Sequence, residues 1–424
     1  MVMPSKPLPK PAHHLLMGVV FCYNYFIRKA PLTITLRPHQ QKAVDRMSAY
    51  DKGQVIIPTG GGKTMCMITD AQSQIESISS GTTIVVVAPR ILLAEQLCSE
   101  FMEVIDTSHT HIMHVHSGET HYFSTTKSEK IHLFASCART AGENLIIFTT
   151  YHSLHRVMEA DIEVNTIYFD EAHNSVQRNF FPPTEHFAAD AERCYFFTAT
   201  PKHSLTVFKP GMNDTEVYGQ VICNVPAPQL VEEGYILPPK VVVKELPMHE
   251  FQQSDDKNLL DTIDENSLNK ILISARSTKQ IMRLVGQSDF CQQLHQRGYS
   301  YLYITSKTGA IIDGKKVNRE EFFETLNAWG KDSSKQFVVL HHSILSEGIN
   351  VSGLEAVLFM RNMDYIGISQ SIGRVIRLGG TEKTFGLVVV PVYDKVGLST
   401  SKSVQAVVDT VFNEGQPAIS VVRR

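Results

Sequence analysis

Three groups of residues have the types and spacing to act on a phosphate-rich substrate. Lys63 and Thr64 directly follow three glycines in Pro58–Thr64, PTGGGKT. Asp170 and Glu171 end an apolar run in Tyr168–His173, YFDEAH. Arg374 and Arg377 stand three apart in Gln370–Arg377, QSIGRVIR. An apolar strand running into a glycine turn and then a helix aims backbone N–H groups and the helix N-terminus at a phosphate. In such a loop Lys63 would reach the β- and γ-phosphates and Thr64 would ligate Mg²⁺. The strict phosphate-loop pattern needs glycine at position 57, where this chain has Ile57.

A carboxylate at the C-terminal end of a strand is well placed to hold Mg²⁺ against such a loop. Asp170 is the expected metal-side ligand, directly or through water, and Glu171 the group that positions and activates an attacking water. Arg374 and Arg377 would share one face of a helix. On an otherwise apolar helix they are costly to bury without an anionic partner, and charge developing on a γ-phosphate would be such a partner. With Gln370, they complete the expected catalytic set.

The elements that must carry these residues are legible as short apolar runs. In the first half these are Gln54–Ile57, Thr83–Ala88, Leu145–Thr149, Thr166–Phe169 and Cys194–Thr198. Runs of this kind suit a parallel sheet buried on both faces, with helices such as Ile91–Glu103 as crossovers. The rhythm breaks at Val225–Pro239, VPAPQLVEEGYILPP, where four prolines and a glycine interrupt any long element. It resumes with Ile271–Ser274, Tyr301–Thr305, Gln336–His341, Ala356–Met360 and Leu387–Val392. The expectation is an α/β protein of two doubly wound domains, residues 31–225 and 226–424, after an N-terminal extension over 1–30. That extension carries four basic and no acidic residues around an apolar stretch and lacks an A-x-A-type cleavage site, so it reads as packed or loosely ordered chain. Met17 is an alternative natural start.

Bulk properties narrow the class. The chain has 424 residues, 43% hydrophobic and 20% charged, with a formal net charge of −3, which argues against a wholly basic nucleic-acid coat. Its seven cysteines are scattered and never spaced CxxC, so a zinc ribbon or disulfide framework is not expected. A reducing intracellular compartment, cytoplasm, nucleoid or nucleus, fits best. No apolar run is long enough for a bilayer span.

Taken together, PTGGGKT, DEAH at 170–173, TATP at 198–201 and QSIGRVIR occur in the order and approximate spacing of superfamily 2 helicases. The resemblance runs from about Leu36 to Leu378. It implies two RecA-like domains with an interdomain ATP cleft, and hydrolysis of ATP with Mg²⁺ coupled to movement along nucleic acid. That family's shortened phosphate loop does not need glycine at 57; Pro58, Thr59, Gly60, Gly61, Gly62, Lys63 and Thr64 fit it. By the same resemblance Leu36–Gln40, LRPHQ, reads the adenine base through Gln40, with Arg37 nearby. Arg90, Thr149, Thr150, Ser274 and Arg276 are implied nucleic-acid contacts. His173, Thr198, Ala199 and Thr200 are implied to couple hydrolysis to strand movement. In Leu345–Val351, Gly348 and Asn350 would lie near nucleotide; Asn350 replaces the family's frequent Asp, which leaves its ribose or coupling role open.

Within the superfamily, LRPHQ, TTYHSL at 149–154 and LVEEGYILPP at 230–239 look most like DNA translocases: type III restriction-enzyme motors and UvsW- or XPB-like helicases. The implied partner is nucleic acid, DNA rather than RNA, held through phosphates and largely independent of sequence. The alternatives are an RNA helicase, or a motor subunit of a larger assembly whose partner proteins supply nuclease or targeting activity. Outside these motifs, His109, His111, His114, His116 and His121 form a dense run without a cysteine partner or an H-E-x-x-H frame, and read as structural or surface residues.

Overall fold

The computed structural model describes residues 34–77, 81–106, 108–118, 120–206, 208–246, 255–305, 307–342, 351, 353–378, 383–393, 397–417 and 419–422. The expected N-terminal extension, together with Gly348 and Asn350, lies outside them.

Two eight-stranded sheets carry the fold. In the first, the strands lie in the order Phe123–Ser124, Thr110–Val115, Asn144–Thr150, Thr83–Ala88, Thr166–Phe169, Arg193–Thr198, Lys52–Ile56 and Val221–Asn224. Its registered pairs are parallel, as in Thr83↔Leu145 through Ala88↔Thr150. Thr83–Ala88 (TIVVVA) and Asn144–Thr150 (NLIIFTT) are buried along their whole lengths. Helices on both faces of a parallel sheet require this, and β-branched side chains fill such positions well.

The second sheet runs Pro239–Leu246, Gly386–Tyr393, Ala356–Phe359, Lys270–Ser274, Phe337–His341, Ser300–Thr305, Gly309–Ile312 and Lys315–Val317. It is parallel except for the hairpin at its edge, where Ser300–Thr305 and Lys315–Val317 pair antiparallel with Gly309–Ile312. Asp313 and Gly314, at φ 44° and 80°, make the two-residue turn of that hairpin. Phe322 and Phe323 of the helix Arg319–Lys331 are core residues, and Asn318 caps that helix by accepting the Glu321 N–H at 2.8 Å.

No helix among the described residues is long and apolar enough to cross a membrane. Six cysteines among them, at 66, 98, 137, 194, 223 and 291, are thiols outside any disulfide.

The histidine run has a specific packing role. His114 is buried at the end of the strand Thr110–Val115, with its Nδ1 2.9 Å from His116 Nε2. Its ring stacks on Phe148 and Tyr122 at 5.6 and 5.8 Å between centroids. Burial, followed by the charge of His116, pushes the His114 imidazole down to about 3. His116 is lowered as well, mainly by burial. A histidine that protonates less readily folded than unfolded takes up its proton on unfolding, so acid favours the unfolded chain. The loss of stability begins near pH 6.5 and runs down to about pH 3. Replacing His114 with Phe is expected to remove a penalty of about 2 kcal/mol at pH 5. Urea unfolding at pH 7 and pH 5 checks this: the pH difference should shrink in the variant, and an unchanged difference contradicts it.

Candidate active site

The chain separates into two compact units. Of the described residues, one comprises 34–35, those of 67–168, and 182–194; the other comprises 36–66, 169–181 and those from 195 onward. The glycine loop, the acidic pair and the arginines all belong to the second unit.

Lys52–Ile56 delivers the chain to the loop, and the helix Lys63–Ser77 starts at the lysine itself. Gly60 and Gly62 adopt φ of 88° and 83°, a region that other L-residues rarely enter. A Cβ on Gly61 would fall 2.5 Å from Ile57 Cγ2, and one on Gly62 would fall 2.1 Å from Gln40 Nε2. Ile57 is therefore the buried floor beneath the loop, and the turn is made by Gly60–Gly62 without a glycine at 57. The loop closes through Gly61 N–H donating to Pro58 O at 2.9 Å. Thr59 Oγ1 is buried with no hydrogen-bond partner among the described residues.

The helix Pro38–Ala49 braces this loop. His39 Nε2 lies 2.7 Å from Gly61 O, and Gln40 Nε2 donates to Gly61 O and Gly62 O at 3.3 Å each. Gln40 Oε1 in turn accepts the Arg37 N–H at 2.9 Å. Burial lowers the His39 imidazole, so the neutral ring donates from Nε2 and leaves Nδ1 buried without a partner among the described residues.

Asp170 follows the strand Thr166–Phe169 and is half-buried. Glu171 is buried and takes the left-handed conformation at φ 45°, turning the chain into the short helix Ala172–Asn174. Its Oε1 is 3.7 Å from Lys63 Nζ, and its Oε2 is 3.5 Å from His173 Nδ1 without hydrogen-bond geometry. Burial alone would raise the Glu171 carboxyl. Lys63, His173, Arg374 and Arg377 together outweigh that and hold it below the usual carboxylate range, so it stays ionised at neutral pH.

Arg374 and Gln370 project from the helix Tyr365–Val375, capped by Asp364 accepting the Gly367 N–H at 2.9 Å. Both are buried, and Gln370 Nε2 has no partner among the described residues. Arg377 does not share their helix face: the helix stops at Val375, and Arg377 forms an antiparallel bridge with Ile236. The diversion is fixed by Leu237 N–H donating to Ile376 O at 2.7 Å. The helix lies directly on the glycine loop, since a Cβ on Gly373 would sit 2.4 Å from Thr59 Cβ.

His173 Nδ1 lies 3.1 Å from Thr198 Oγ1 and 3.4 Å from Thr200 Oγ1, and Thr200 N–H donates to Thr198 Oγ1 at 3.0 Å. Ala199 is buried beside them. The turn that follows the acidic pair is thus hydrogen-bonded through His173 to the TATP segment. The expected nucleic-acid residues are dispersed. Arg90 is exposed at the start of the helix Ile91–Met102. Thr149 and Thr150 are buried, and Thr149 Oγ1 donates to Val115 O at 2.9 Å. Ser274 is buried near Arg361, and Arg276 is ion-paired with buried Asp255 at 2.5 Å. Asp255 also accepts from Gln280 Nε2 at 2.6 Å and Arg283 at 2.5 Å.

His39, Tyr235 and Ile236 escaped the sequence reading although each touches this site. They lie within LRPHQ and LVEEGYILPP, but their partners are far away along the chain, so the motifs alone gave them no role.

Two family models match the chain: "Type III restriction enzyme, res subunit" over residues 33–203 and "Helicase conserved C-terminal domain" over 255–379. No curated protein sequence matches it. Among solved structures, the ATP-dependent Type ISP restriction-modification enzyme LlaBIII bound to DNA is similar at a TM-score of 0.72 and 18% identity, covering 93% of this chain and 31% of that one. A nuclease-deletion mutant of the Type ISP enzyme LlaGI, in complex with a DNA substrate mimic, gives 0.65 and 20%, covering 91% and 30%. Mss116p bound to ssRNA and AMP-PNP gives 0.60 and 16%, covering 92% and 75%. The chain thus spans under a third of the two restriction enzymes; at these identities the likeness speaks for the fold.

Proposed function

We infer that this chain, which belongs to the superfamily 2 helicases and is therefore an ATP-hydrolysing enzyme, uses hydrolysis to move along DNA. The observation that carries this reading is the charge arrangement around Glu171: a buried, ionised carboxylate 3.7 Å from Lys63 and held low by Arg374 and Arg377 as well. In this proposal the Gly60–Gly62 loop cradles the phosphates and Lys63 pairs with the β- and γ-oxygens. Thr64 and Asp170 would hold Mg²⁺, which when bound neutralises charge on those oxygens. The hydrogen-bond donors present suit the phosphate oxygens, since Thr59 Oγ1 and Gln370 Nε2 are buried without a partner among the described residues beside the loop and arginine helix. Glu171 orients the attacking water, and Arg374 and Arg377 meet the charge that develops on the transferred group.

We assign residues 31–225 and 226–424 as the two domains, Gln40 and Arg37 to the base, and Gly348 and Asn350 to the nucleotide. His173, Thr198, Ala199 and Thr200 are the proposed coupling path, because their hydroxyl–imidazole bonds join the Glu171 turn to the TATP strand. Exposed Arg90 is the proposed phosphate-backbone contact. Buried Thr149, Thr150 and Ser274 would act through main chain or by positioning, and Arg276 while held by Asp255. The DNA-bound restriction-modification enzymes among the similar structures favour DNA, and the scattered cysteines, never spaced CxxC, favour a reducing intracellular setting. The likeness to ATP-dependent restriction-modification enzymes supports a second reading, a motor working with partners that supply nuclease or targeting.

The test is displacement of a third strand from triplex DNA. ATP-dependent displacement that Lys63→Ala abolishes is the expected result. ATP hydrolysis without displacement from any DNA would remove the translocase reading.

A further inference from the structure

The segment Gly234–Leu237 meets both ends of the site at once. Its path is set by the end of the helix Ala227–Glu232: Gly234 takes φ 72°, its N–H donates to Val231 O at 3.1 Å, and Tyr235 N–H donates to Leu230 O at 2.8 Å. This helix end aims the Tyr235 ring at the base-reading segment. The Arg37 guanidinium lies over that ring, 4.7 Å from its centroid, and the His39 ring is 5.3 Å away at 57°. Arg37 Nη1 is buried and has no partner among the described residues, so the guanidinium is positioned by stacking and its donor is unspent. One residue further on, Ile236 bridges Arg377, and its Cγ2 would lie 3.2 Å from a Cβ on Gly60.

We propose that Tyr235 is a specificity-determining residue for the nucleotide base, backing the Arg37 guanidinium so that its opposite face receives a purine. A planar cation held on an aromatic ring presents a flat, preorganised surface for a second π-system. Because Tyr235 and Ile236 are adjacent, a base seated on Arg37 also fixes the strand that holds Arg377, linking recognition of the base to placement of the arginine. The inference rests on the proposed nucleotide reading of this site.

The experiment compares Tyr235→Ala, Tyr235→Leu and Tyr235→Phe in ATP and GTP hydrolysis, with inorganic tripolyphosphate as a competitive inhibitor lacking a base. Tyr235→Ala and Tyr235→Leu are expected to raise the KM for ATP about ten-fold, with a smaller change in kcat. They should also narrow the preference for ATP over GTP while the tripolyphosphate inhibition constant stays within about two-fold of wild type. Tyr235→Phe, which keeps the ring, should restore the KM. An unchanged ATP KM in both Ala and Leu variants overturns the proposal. So does a tripolyphosphate constant that weakens in step with it, because that marks a damaged loop. Lys63→Ala separates the two readings: it should weaken ATP and tripolyphosphate alike. If it weakens neither, the nucleotide site itself is misassigned.

Discussion

Glu171→Gln is expected to lower nucleic-acid-stimulated ATP turnover by about 10³-fold while ATP still binds. The carboxylate is buried, ionised and within 3.7 Å of Lys63, on a left-handed turn that fixes where its oxygens point. Glutamine keeps the shape and removes the charge, so a water in front of it loses its acceptor for the departing proton. The same change leaves Lys63, Arg374 and Arg377 with one fewer anionic neighbour, which should tighten a bound polyphosphate. Steady-state turnover, together with binding of a fluorescent ATP analogue, separates these effects. Turnover within a few-fold of wild type would falsify the role given to Glu171.

The arginines carry the second large effect. Arg374→Ala and Arg377→Ala are each expected to reduce kcat by about 10³-fold, the scale of guanidinium stabilisation in phosphoryl transfer. They reach the site from different supports: Arg374 from the helix Tyr365–Val375, and Arg377 from its bridge to Ile236. Lysine at either position should not restore the rate, because a point charge cannot reproduce the planar fork. Measured kcat and KM for the Ala and Lys variants decide it. A normal kcat in Arg374→Ala and Arg377→Ala would place the arginines outside the chemistry.

Much of this architecture was open to reading from the chain. Parallel strands buried on both faces appear as uninterrupted apolar runs, so Ile271–Ser274 was expected where Lys270–Ser274 is found. The glycine turn before Lys63 was legible despite Ile57, because glycine is needed only where the backbone turns, at Gly60–Gly62. The edge hairpin Gly309–Val317 went unread although Asp313–Gly314 is its signal, since GAII and KKV are too short and mixed to stand out. The expectation that Arg374 and Arg377 share a helix face missed the tertiary pull on Arg377: Leu237, far away in sequence, ends that helix by taking the Ile376 carbonyl. His39 and Tyr235, although inside the LRPHQ and LVEEGYILPP segments, had no legible role for the same reason.

The most direct test of the account is the ATPase rate of the intact chain measured in parallel with no nucleic acid, single-stranded DNA, double-stranded DNA, branched DNA and RNA. The account predicts stimulation by DNA that disappears in Lys63→Ala. Stimulation by RNA alone would contradict the DNA assignment, and an identical rate under all five conditions would contradict the motor itself.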